Sequence, residues 1–81
     1  MNIKYSKAAA KAISPLDKKS KLRIKTAIEN IPNGDIKPLR GSGVLYRLRV
    51  GDRRIIFSYP DIDTVLVEKI APRGGVYKGG V

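Results

Sequence analysis

The sequence predicts an α+β fold: an N-terminal strand, then two helices packed on one face of a small, mainly antiparallel sheet, in the order β-α-α-β-β-β, with a short basic C-terminal tail. Three observations carry this reading. Ile24, Ala27, Ile28 and Ile31 recur at helical spacing. From Val44 onward the apolar period changes to two. Gly51-Asp52 then separates two strongly strand-forming runs, as a two-residue hairpin turn does. At 81 residues the chain has material for one modest core, so residues 1–81 read as a single domain.

Taken in order, Asn2 to Tyr5 alternate polar and apolar and form the opening strand, with Ile3 and Tyr5 on one side. Ser6 is placed to cap a first helix, whose alanine-rich run ends at Ile13-Ser14-Pro15 because a residue before proline is pushed out of the helical region. Ser14 as N-cap, Pro15 at the first helical position and Asp17 in the first turn predict a second helix running to about Asn30. Its apolar stripe faces inward, and Lys18, Lys19, Lys21, Lys25 and Glu29 form a basic outer face, read first as a solvated one. Pro32 to Asp35 is a turn cluster, followed through Gly43 by an ordered connection. Val44–Val50, Arg53–Tyr59 and Thr64–Ala71 are strands, with a second turn at Pro60 to Asp63. The tail from Pro72 to Lys78 is basic.

Composition narrows the chemistry. There is no cysteine and no histidine, so thiolate and imidazole metal sites, disulfides and histidine proton shuttles are excluded, and neither metal nor cofactor is expected. No stretch resembles a signal peptide or a membrane span, and a cytoplasmic protein is the expectation. Lysine and arginine number 17 against 7 acids, a net charge of +10 that suits a polyanionic partner.

A two-residue turn pairs Val50 with Arg53, Arg49 with Arg54, Leu48 with Ile55, Arg47 with Ile56 and Tyr46 with Phe57. Tyr46, Leu48, Val50, Ile55 and Phe57 then share the face that receives the second helix. Arg47, Arg49 and Arg54 share the other. With the simplest pairing across a four-residue second turn, Lys69 stands beside Arg54. Like charges directly opposite one another are destabilising in a sheet, so such a cluster suggests a bound polyanion. The only acids expected nearby are Asp52 and Glu68, and Glu68 is placed on the core side, where it is read as a structural partner of Arg53.

Clustered arginine with few carboxylates fits phosphate chemistry. RNA carries its own nucleophile, the 2′-hydroxyl, and a protein cleaves it by aligning the phosphodiester and stabilising the charge that develops. The planar guanidinium binds two phosphate oxygens and stays charged. Arginine and tyrosine both hold their protons far above neutral pH and are poor general bases, so slow action on free RNA is expected. Tyr77 is placed either to stack on a base or to pin the tail to the sheet.

Lys37-Pro38-Leu39-Arg40-Gly41, the hairpin Tyr46 to Phe57, and Lys69 to Tyr77 resemble three segments of the RelE/ParE superfamily of bacterial and archaeal toxins, and the resemblance spans essentially the whole chain. It implies a type II toxin–antitoxin mRNA interferase that cuts mRNA in the ribosomal A site without a metal and is silenced by an acidic antitoxin. It also implies residue roles: Arg54, Arg73 and Tyr77 catalytic, with Arg54 on the scissile phosphate, Arg73 assisting the leaving oxygen and Tyr77 orienting the nucleotide. Arg47 and Arg49 would grip the RNA backbone, and Lys69 joins them as an RNA-binding residue through the pairing above. Two other readings remain open. One is a ParE-like inhibitor of DNA gyrase on the same fold, and the other a nonenzymatic nucleic-acid-binding module.

Overall fold

The computed structural model describes residues 2–72. Its elements are β1 (Asn2–Tyr5), α1 (Lys7–Ile13), α2 (Lys18–Glu29), β2 (Asp35–Pro38), β3 (Tyr46–Val50), β4 (Arg53–Asp61) and β5 (Thr64–Pro72). The strands form one five-stranded sheet in the order β1-β5-β4-β3-β2. β1 runs parallel to β5, and every other pair is antiparallel. The predicted architecture is therefore present, with one strand more than expected. β2 lies at an edge, within the stretch read from sequence as a connection.

Local chemistry explains most element boundaries. The Ser6 side chain accepts from the Ala9 N–H at 3.0 Å and caps α1 as expected. Ser14 closes α1 instead of opening α2, and Asp17 is the true N-cap, its carboxylate accepting from the Ser20 N–H at 3.2 Å. Both residues are acceptable N-caps, and sequence alone ranks them poorly when they stand three apart. At the hairpin, Gly51 has φ +58, the left-handed conformation its turn requires.

The core joins α1 and α2 to one face of the sheet. Ala9, Ile24, Ile28 and Ile31 pack with Leu48, Ile55, Phe57, Val65, Val67 and Ile70, and Tyr46, Val50 and Ala27 border them. Phe57 is fully buried, with its ring centroid 5.7 Å from Tyr46 and 5.5 Å from Tyr59. Burial of each such large apolar side chain stabilises by roughly 1.5–3 kcal/mol. Because the helices take this face, they leave the other one to the arginines. Among the described residues no helix is long and apolar enough to cross a membrane.

Candidate nucleic-acid interface

The hairpin register is the expected one at all five pairs, from Tyr46 opposite Phe57 to Val50 opposite Arg53. Successive side chains alternate between faces, so Arg47, Arg49 and Arg54 project from the side the helices leave uncovered, with Arg49 directly across from Arg54. Arg49 is exposed, but Arg47 and Arg54 are not simply solvated. Arg47 retains 13% side-chain exposure, and its Nε is buried, as are Nε and Nη1 of Arg54, with no hydrogen-bond partner among the described residues. Desolvated guanidinium nitrogens without an acceptor are costly, and an anion arriving between them supplies what they lack.

β2 adds a residue that sequence reasoning did not place here. Asp35 lies across from Arg49 and forms an ion pair with Arg47, Oδ1 to Nη2 at 3.4 Å. Lys37, two residues on, lies across from Arg47. The alternation Asp35-Ile36-Lys37, with Ile36 against the core, was the available signal, but four residues ending in proline are a weak one. Asp35 thus corrects the expectation that only Asp52 and Glu68 stand near the arginines.

The β4–β5 pairing corrects two further expectations. The second turn is the pair Ile62-Asp63, with Asp61 opposite Thr64, and Tyr59-Pro60 lies within a register shift. Proline has no N–H for the ladder, which suits it to an irregularity of this kind. Lys69 consequently stands opposite Ile56, while Arg54 faces Ala71. Lys69 keeps the arginine face but lies diagonal to Arg54 instead of beside it. A second shift lies between Ile56 and Phe57: Ile56 pairs with Lys69 and Phe57 with Val67, so Glu68 is the extra residue of a β-bulge. The Glu68 side chain accepts from the Ser58 hydroxyl, Oγ to Oε2 at 3.0 Å. Ser58 lies across from Leu66, between core-facing neighbours, and therefore on the arginine face. Glu68 is on that face too, not on the core side, and among the described residues it forms no ion pair with Arg53.

An apolar band crosses the same face. Ile56 and Ala71 are buried there with Leu39 and Leu45 against them, and the Leu39 N–H donates to the Leu45 carbonyl at 2.8 Å. Cations and aliphatic carbons thus alternate across the surface. Arg73 and Tyr77 lie outside the described residues. Among those described, no group of three or more acids, histidines or cysteines is gathered as a metal site would need.

Among solved structures, the chain is similar to one in the RelB–RelE antitoxin–toxin complex from Methanococcus jannaschii, at 26% identity and TM-score 0.73, over 94% of this chain and 96% of that one. It is also similar to one in the archaeal RelE–RelB complex from Pyrococcus horikoshii OT3, at 30% identity and TM-score 0.69, over 91% and 96%. The chain has the RelE-like fold. No family model and no curated protein sequence matches it. In this RelE-like frame the hairpin β3–β4 carries the arginine cluster, β2 brings in Asp35, and the bulge of β5 brings in Glu68.

Proposed function

We propose that this chain is the toxin of a type II toxin–antitoxin pair: one cytoplasmic domain, residues 1–81, that cuts mRNA on the ribosome, arrests translation, and is neutralised by an acidic antitoxin. The observation that carries the reading is the placement of Arg47, Arg49 and Arg54 on the helix-free face, where Nε of Arg47 and Nε and Nη1 of Arg54 are buried and lack an acceptor among the described residues. Its support is the likeness to chains from two RelE–RelB complexes and a net charge of +10, which an acidic partner or an RNA would complement.

In this mechanism the RNA 2′-hydroxyl attacks the adjacent phosphorus. Arg54 neutralises the phosphoryl oxygens as charge builds, Arg47 and Arg49 hold the flanking backbone, and Lys69 extends the basic track. Arg73 and Tyr77 are assigned the leaving oxygen and the nucleotide base. A reconstituted translation system tests the proposal: added protein is expected to arrest synthesis and to leave mRNA fragments ending at the ribosomal A site. Arg54→Ala is expected to slow cleavage by about 10²–10³-fold or more, with an unchanged circular dichroism spectrum. Arrest with intact mRNA would overturn the reading, and loss of gyrase supercoiling in its place would select the ParE-like alternative.

A further inference from the structure

The cluster above can bind and polarise a phosphodiester, yet it offers no base to take the 2′-hydroxyl proton, since arginine stays protonated. We infer that Glu68 is that base, a reading that rests on the mRNA endonuclease proposal. Three independent features of the fold bring its carboxylate to the site.

The first is the bulge. One extra residue on β5 turns Glu68 onto the arginine face, and bulges re-aim side chains in this way beside active sites. The second is the anchoring of that bulge: the Ser6 N–H donates to the Val67 carbonyl at 2.9 Å, and the Ser6 hydroxyl donates to the Glu68 carbonyl at 2.7 Å. The residue that caps α1 therefore also holds the backbone of Glu68. The third is the arrangement of the carboxylate. The Ser58 hydroxyl donates to Oε2 at 3.0 Å and ties the carboxylate to β4, with Oε1 as its second acceptor atom.

Position agrees with the role. Ser58 is two residues along β4 from Ile56, and Ile56 lies opposite Arg47. Glu68 stands one strand beyond Ser58, on β5, so sheet spacing sets its backbone about 7 Å along the strands and about 10 Å across them from that of Arg47, a gap that the two long side chains narrow from both ends. Among the described residues no cation lies within ion-pair distance of Glu68, whereas Asp35, the other carboxylate of these rows, is paired with Arg47. In the proposed complex, a phosphate held by the arginines places its neighbouring ribose between the guanidinium groups and the Glu68 carboxylate.

The step balances. As the 2′-oxygen forms its bond to phosphorus, its proton passes to Oε1 of Glu68. The bond from phosphorus to the 5′-oxygen breaks, that oxygen takes a proton from solvent, and the products are a 2′,3′-cyclic phosphate and a 5′-hydroxyl. Glu68 then returns its proton to solvent.

Glu68→Gln tests the assignment in single-turnover cleavage on stalled ribosome complexes between about pH 6 and pH 8.5. The groups facing Glu68 are Ser58 and Arg54 on β4, Lys69 on its own strand, Lys4 on β1, and Arg47, Arg49, Lys37 and Asp35 across the sheet. Wild type is expected to show a flat profile. Glu68→Gln is expected to be slower by about 10²–10⁴-fold, with a rate that climbs about tenfold per pH unit as hydroxide replaces the missing base, and with unaltered half-saturation. A structural role would lower the rate without introducing that slope. A flat Glu68→Gln profile, or a change in half-saturation alone, would overturn the inference while wild-type cleavage and an inert Arg54→Ala left the endonuclease proposal standing. Uncut mRNA with wild-type protein would remove both.

Discussion

Replacing Arg54 with methionine is expected to stabilise the protein while it removes the proposed activity. Nε and Nη1 of Arg54 are buried without a partner among the described residues, and the residue faces Arg49 directly across the sheet. A buried donor left unsatisfied costs about 1–3 kcal/mol, and a like-charge pair across strands costs roughly 0.2–1 kcal/mol. Methionine keeps the aliphatic stem and drops both penalties, so a net gain of about 1–2 kcal/mol is expected after a modest allowance for lost packing. For a domain of this size total stability is about 4–12 kcal/mol, and the gain corresponds to a rise in melting temperature of roughly 4–15 °C. Urea unfolding followed by circular dichroism measures it, with an unchanged m-value showing that only stability has moved. Arg49→Met, at an exposed position, is expected to gain no more than about 1 kcal/mol by relieving the same repulsion. The double variant should fall short of the sum because one repulsion cannot be relieved twice. Loss of stability in Arg54→Met would refute the reasoning, since it would mean that the guanidinium is satisfied and that the face is not strained toward an anion.

Two other perturbations probe the frame that holds the site. Ser6→Ala removes both the α1 cap and the hydroxyl that holds the Glu68 carbonyl, and is expected to cost about 1–3 kcal/mol in urea unfolding, whereas Ser14→Ala, at the end of α1, should cost less than about 0.5 kcal/mol. Stability is also expected to fall in acid. Hydrogen bonds from Ser20 hold the Asp17 carboxyl below its ordinary range, and those from Thr64 and the Asp63 backbone do the same for Asp61. A carboxylate whose folded-state pKa is depressed contributes stability that is fully present above its unfolded value, near 3.9, and fades as pH falls toward the folded one. Unfolding midpoints measured from pH 6 to pH 2 should therefore decline below about pH 4, with a shallower decline in Asp17→Asn.

Much of the candidate site was legible because a two-residue turn leaves little freedom. Gly51-Asp52 determines which residues of the hairpin oppose one another, and strict alternation then assigns each side chain to a face. Arg47, Arg49 and Arg54 were found in this way, as was the apolar face that meets α2. What escaped lies beyond the reach of that turn. β2 is a four-residue edge strand bracketed by turn residues, so its pairing with β3, and with it the position of Asp35, rests on contacts distant in sequence. Ile56 reads as an apolar residue on a polar face, and its reason appears only when Leu39, Leu45 and Ala71 are brought against it.

Glu68 shows most clearly where sequence determines structure and where it does not. The residues by themselves determined the helices, the tight hairpin, the excess of positive charge and the absence of thiol and imidazole, because each of these depends on composition or on neighbours a few positions apart. Tertiary structure alone decided that β5 slips by one residue at Glu68. A single inserted residue reverses the face of a side chain, and the Ser6 and Ser58 contacts that hold this one come from segments 62 and 10 residues away. Alternation is a local rule, and it predicts a face only as far as the next bulge.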